Sequence, residues 1–221
     1  MITLETSESA RRTQAGRRAR SRSALLEAAA RGLSTYGYAN LALGRVASEA
    51  GYTRGALYHQ FANKEDLALA VVKWVEETWY AEVGRLAEEA ADPVEALLAM
   101  ARGHAVYCRR DVARVMTALS VEFLGQDHPV GRAITEVGER FLADSADRIA
   151  AARASGAIPP GPPPREMAQA CLGTLEGLVI KLAGHAPYDV ELAERAVRGV
   201  LGLPPVPLTT GPQSAGAPQS L

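Results

Sequence analysis

Cysteine is scarce. Cys108 and Cys171 are the two in 221 residues, and their separation fits neither a disulfide framework nor a paired-cysteine zinc site. Such a chain suits a reducing cytoplasm. Long apolar runs are missing too: no stretch approaches the roughly 18 uninterrupted apolar residues of a spanning helix. Arginines from Arg11 to Arg22 interrupt the region where a secretory leader needs its apolar core. Neither membrane insertion nor export is expected. There is no clear period-two alternation, so strands are not needed. Catalytic signatures are equally thin. The four histidines, His59, His104, His128 and His185, are dispersed, and there is no glycine-rich phosphate loop after a strand, no nucleophile elbow and no HExxH spacing. No enzyme activity, cofactor or metal is expected.

What the chain does have is apolar residues at 48% against 22% charged, enough for a real core. Net charge is -1, but it is unevenly spread. Between Ala10 and Lys64 stand ten Arg or Lys against Glu27 and Glu49, so this quarter carries +8 and the remainder -9. A basic N-terminal segment on an acidic body is the asymmetry of a nucleic-acid-binding module joined to a second function.

Ala, Leu, Glu and Arg abound and apolar residues recur at three and four, which predicts an all-α fold of about nine helices. Residues 1–20 read as a flexible basic arm. A first helix is expected over 21–36, with Leu26, Ala29, Ala30 and Leu33 on one face and Gly37 as a left-handed cap. A short helix over 43–50 ends at Gly51, and Thr53 caps a third over 54–61. Asn63 then caps a long fourth helix reaching residue 90, with Glu65 and Asp66 at its positive end. Further helices are expected over 93–109, 111–125, 129–155, 165–184 and 189–202. The segment "SGAIPPGPPPRE" is too proline-rich for helix and reads as an extended connector, and the tail over 204–221 as disordered.

A helix-turn-helix needs a small residue inside its first helix, a residue tolerant of positive φ in the turn, and an apolar residue on the second helix to close the core. Ala47, Gly51 and Leu57 supply these in order. The stretches "RSRSALLEAAARGLSTYGY" at 20–38 and "RVASEAGYTRGALYHQFANKEDL" at 45–67, with an all-helical body behind them, resemble the TetR family of transcriptional repressors. The resemblance is strong over about residues 18–75 and only architectural beyond. It implies a three-helix DNA-binding domain over 21–66 and an effector-binding and dimerisation domain over 67–203.

By position, the resemblance puts Thr53 on phosphate and Arg54 on a base edge, where a bidentate contact to guanine is worth about 1–3 kcal/mol of discrimination. Gly55 lets the backbone approach, and Tyr58, His59 and Lys64 hold phosphates, with Arg45 as a further backbone contact. Two departures from the family pattern stand out. Leu41 and Ala42 occupy positions where the family has a capping hydroxyl, leaving the cap to Asn40 or absent. Gly32 sits where a larger residue is common, at a cost of roughly 1 kcal/mol relative to Ala in a helix interior.

In the body, apolar stripes over 97–108, 115–123 and 130–141 read first as core. The family's ligand site among these helices makes Trp79, Met100, His104, Tyr107, Met116, Phe123 and Cys171 candidates for an effector pocket, their side chains being adaptable or polar-tipped. The effector is expected to be small and largely apolar. Ala170, Gly173 and Gly177 form a stripe of small residues suited to close helix approach. With Val197 and Leu201 of "ERAVRGVLGL" they are the expected homodimer face. A two-fold dimer would set two recognition helices about 34 Å apart on a near-palindromic operator. The reading is therefore a cytoplasmic, ligand-responsive, homodimeric repressor. A nonspecific architectural DNA binder and an enzyme on a helical fold are the alternatives.

Overall fold

The computed structural model describes residues 3–182, 186 and 188–205, except the side chains of 3–13, 15, 179 and 182. The expected tail lies almost wholly outside this range, as does His185.

The first helix, α1 (Thr3–Tyr36), is far longer than the pattern predicted: residues 3–20, expected as a flexible arm, continue it without a break. The physical reason is cooperativity. Leu25, Leu26, Ala29, Ala30 and Leu33 anchor its C-terminal half in the core, so the costly nucleus is already formed, and the Ala, Arg, Glu and Gln residues upstream propagate it well. Gly37 ends it at φ +74, its N–H bonded to the Leu33 carbonyl at 3.0 Å.

The short α2 (Leu43–Glu49) and α3 (Arg54–Tyr58) follow, then α4 (Lys64–Trp79). Asn63 caps α4 by accepting the Asp66 N–H at 2.8 Å. A π-helical turn (Tyr80–Gly84) joins α4 to α5 (Arg85–Glu88), so the two form one rod bent where an extra residue enters. A Cβ at Gly84 would lie 2.7 Å from the Tyr80 ring, so glycine is what lets that ring fold back against the turn. Asp92 caps α6 (Pro93–Tyr107) with bonds from the Val94 and Glu95 N–H groups. A 3-10 turn (Asp111–Arg114) leads into α7 (Val115–Glu122), and α8 (Pro129–Ala154), α9 (Pro164–Leu182) and α10 (Tyr188–Val200) complete the described body. With α4 and α5 counted as one rod, the described residues form nine, and none is a strand. None of the described helices is long and apolar enough to cross a membrane.

The core does not divide at residue 66. Leu25, Leu33, Val46, Leu57 and Phe61 of the head pack in one cluster with Leu67, Val115, Leu119, Phe123, Val130 and Ile134 of the body. A second cluster joins α6, α8, α9 and α10. At its edge Arg109 grips the buried carboxylate of Asp189 through two bonds of 2.8 and 2.9 Å. Those bonds hold the carboxyl below its usual range and tie the start of α10 to the end of α6.

Candidate functional site

Ala47 and Leu57 are buried where α2 and α3 cross, and Gly51, at φ +77, makes the turn between them. The Tyr52 N–H closes it on the Ala47 carbonyl at 2.9 Å. Thr53 Oγ1 accepts the Ala56 N–H at 3.2 Å and so starts α3, leaving its own hydroxyl proton free to donate outward. With Leu57 turned inward, Thr53, Arg54, Gly55, Tyr58 and His59 are all exposed on one surface. Tyr58 is thus no core residue. Its hydroxyl accepts from Arg54 Nη2 at 3.2 Å, and the guanidinium lies 5.5 Å from its ring centre, which preorders the arginine at the helix start.

Arg45 is exposed on α2, stacked 4.6 Å over the Tyr36 ring. Lys64 departs from its expected role. Its ammonium donates to the Tyr38 and Ala39 carbonyls at 3.0 and 3.1 Å and lies over the Tyr38 ring, closing the turn after α1 instead of pointing outward. Asn40 does not cap α2 either: its amide donates to the Tyr36 carbonyl, and Ala42 stands at the cap position without a side-chain bond. The two sequence departures prove to be coupled. Leu41 is buried with its Cδ1 only 2.7 Å from where a Cβ on residue 32 would stand, so Gly32 makes the room that Leu41 fills. Sequence reasoning missed a neighbouring groove in which Arg18 and Arg22 of α1 face His59 and Gln60; Gln60 ties the two elements by donating to Ser21 Oγ at 2.9 Å.

Behind this head lies a cavity of about 150 Å³ between α4, the π-turn, α6, α7, α8 and α9. Four of the expected residues line it: Trp79, His104, Tyr107 and Met116. Trp79 Nε1 donates to His104 Nδ1 at 3.0 Å. Indole can only donate, so the neutral imidazole carries its proton on Nε2. Burial holds the His104 pKa down at about 4. Tyr107 shares its hydroxyl with Thr78 Oγ1 at 2.8 Å.

Three expected lining residues are elsewhere. Met100, one turn before His104 on α6, is packed with Val83, Ala87 and Ala96. Phe123 lies beyond the cavity end of α7, stacked 4.4 Å from the His128 ring and edge-on to Tyr38. Cys171 is in the α8–α9–α10 core. Burial pushes its thiol up to about 11 and that of Cys108 to about 12, so both are neutral. Tyr80, Phe141 and Glu176 line the cavity without having been expected there. Phe141 shares a stripe with Ile134 and Val137 that was legible only as core; Glu176 carried no signal, because a helical glutamate reads as solvated.

The small-residue stripe of α9 is exposed: Ala170, Gly173 and Gly177 face outward, and a Cβ added at either glycine would meet nothing within 4 Å. Val197 and Leu201 are not on this face. They are buried in the chain's own core, because the apolar stripe of α10 packs on α6 and α9 of the same chain.

Residues 25–71 match the family model described as bacterial regulatory proteins, tetR family. The A-factor receptor protein of Streptomyces griseus is 36% identical over 110 residues, a match spanning 48% of this chain but only 38% of the receptor. Among solved structures, AibR in complex with isovaleryl coenzyme A and operator DNA has a TM-score of 0.70 at 23% identity, covering 84% of this chain and all of the AibR chain. FadR from Bacillus subtilis in complex with stearoyl-CoA has a TM-score of 0.68 at 20% identity, over 80% of this chain and 96% of that one. These structural likenesses extend the shared fold across head and body alike. The helix-turn-helix is thus matched in sequence to the tetR family of bacterial regulatory proteins, and the helical body shares its fold with AibR and FadR.

Proposed function

We propose that the protein is a homodimeric transcriptional repressor that leaves a near-palindromic operator when a small molecule fills the cavity. The observation that carries this reading is the path of α4. It starts at Lys64, against the turn that orients α2 and α3, and it ends with Trp79 in the cavity wall. A second connection runs in parallel: α7 lines the cavity with Met116, Thr117 and Ser120. At its other end, Glu122 accepts the Tyr38 and Ala39 N–H groups at 2.5 and 2.7 Å. A ligand that fits the cavity better in one arrangement of these helices than another shifts the population toward it, and with it the spacing of the two recognition helices.

Thr53, Arg54, Tyr58 and His59 are the DNA-facing set of this reading, with Arg45 and the Arg18–Arg22 groove as flanking phosphate contacts. The exposed small-residue face of α9 serves as the dimer surface. The complexes formed by AibR with operator DNA and by FadR with stearoyl-CoA support a duplex ligand at the head and a small-molecule ligand in the body.

Selection of bound duplex from a random pool, followed by mobility shift at moderate salt, tests the reading. A recovered near-palindrome is the expected result, and Arg54→Ala should weaken binding to it by about 5- to 150-fold while flattening the preference at one base. Recovery of no sequence, with equal affinity for random DNA, would mean a nonspecific duplex binder, the reading that the basic α1 favours.

A further inference from the structure

The charge of the cavity wall is one-sided. Glu76 and Glu176 line it, and no Lys or Arg does. Glu76 is already matched: Arg140 reaches it from the cavity's outer side at 2.7 Å. Glu176 has no hydrogen bond or ion pair among the described residues, although it is half-buried and burial raises its pKa. His104 cannot serve as its counter-ion, since the imidazole is neutral and its Nδ1 is taken by Trp79. A carboxylate removed from water without a partner costs free energy unless a bound cation restores one. The rings of Trp79, Tyr80, Tyr107 and Phe141 line the same cavity; their faces attract a cation and their area shelters an apolar body.

We propose that the cavity takes a small aryl-alkyl amine, about one ring in size, with its ammonium against Glu176 and its ring among Trp79, Tyr80, Tyr107 and Phe141. This rests on the cavity being the effector site. The volume sets the scale, because about 150 Å³ is room for a ligand built on a single aromatic ring. The charge sets the sign: an anionic ligand of the same shape would meet Glu176 with no lining cation to offset the repulsion.

A charge series on one ring tests this directly. Phenethylamine, 2-phenylethanol and phenylacetate are titrated at pH 7.5 into the full chain, followed by calorimetry and by the fluorescence of Trp74 and Trp79. The amine should bind about tenfold or more tighter than the alcohol, and phenylacetate should bind weakest. Glu176→Gln, which keeps the shape of the side chain, should remove most of the amine's advantage and leave the alcohol within about twofold. No binding of the amine, an alcohol that binds as tightly, or a preference that survives Glu176→Gln would overturn the proposal. Because no DNA is present, the result is separate from the repressor reading. An amine that binds as expected but leaves operator affinity unchanged would sustain the ligand class and refute its coupling to DNA release.

Discussion

The head and the cavity region are packed by opposite rules. In the head, Leu25, Leu33, Leu57 and Phe61 are each at most 1% exposed. There the groups that could read DNA stand wholly on the outside. Around the cavity, by contrast, polar-tipped and charged residues have been drawn inward: His104, Tyr107, Thr117 and Glu176 share a wall with aromatic rings, and the helices beside them depart from regular α geometry at Tyr80–Gly84 and Asp111–Arg114. A surface that must hold side chains in register on a duplex needs a filled, stiff support. A site that must receive a ligand needs unfilled volume and polar groups kept from water, both of which cost stability.

The sharpest test of this contrast is a matched pair of truncations. Leu57→Ala should cost about 3–5 kcal/mol in urea unfolding, because the filled head cannot collapse around the void. Val137→Ala, on the cavity wall, should cost about 1 kcal/mol or less, since the removed methyl groups already border open space. Equal losses at the two sites would erase the distinction.

Next in size is a pH effect confined to the cavity side. Unfolded, a histidine takes its proton near pH 6.5, whereas buried His104 does so at about 4. Between these values the unfolded state binds more protons. Stability is therefore greatest above pH 6.5, falls as the pH drops toward 4, and is level below that, for a loss of up to about 3 kcal/mol. Protonation would also place a hydrogen on Nδ1, against the Trp79 N–H. Unfolding curves from pH 7 to 4 should therefore flatten in His104→Gln, and an unchanged slope would contradict the assignment.

A smaller effect is expected where the two regions meet. Glu122→Ala removes a charged acceptor from the Tyr38 and Ala39 N–H groups and should destabilise the chain by about 1.5–2 kcal/mol. It should also weaken the dependence of operator affinity on effector, read by mobility shift with and without ligand. The smallest effect concerns Gly32 and Leu41. Gly32→Ala alone should change stability by about 1 kcal/mol or less, the better helix propensity being offset by displacement of Leu41. In a Leu41→Ala background the same change should stabilise by about 1 kcal/mol, and a double-mutant cycle would measure the coupling.

The head was largely legible because its signals are local. Thr53, Asn63, Gly37 and Gly51 announce caps and turns within a few residues of where they act, and the spacing of Ala47, Gly51 and Leu57 needs no distant partner. The body was legible as helices but not as a site. Trp79, His104, Tyr107 and Met116 could be proposed because the family resemblance pointed to a pocket among their helices; Met100 and Phe123 share those stripes, and only packing separates the two groups. The length of α1 is not legible locally, because residues 3–20 have the polarity of a flexible arm, whereas a polar helix propagates readily once its far end is anchored.

Helix order, the caps at Thr53 and Asn63 and the exposed start of α3 were determined by the sequence alone, since each follows from contacts between residues within about one turn of one another. The tertiary structure decided what depends on long-range coincidence. It turned Lys64 inward onto the Tyr38 carbonyl, matched Leu41 to Gly32, set Glu122 beneath a turn 84 residues away, and gathered Trp79, His104 and Glu176 around one cavity. No local pattern encodes such meetings, because they arise where separate helices cross and each side chain's role is set by what the other helix brings.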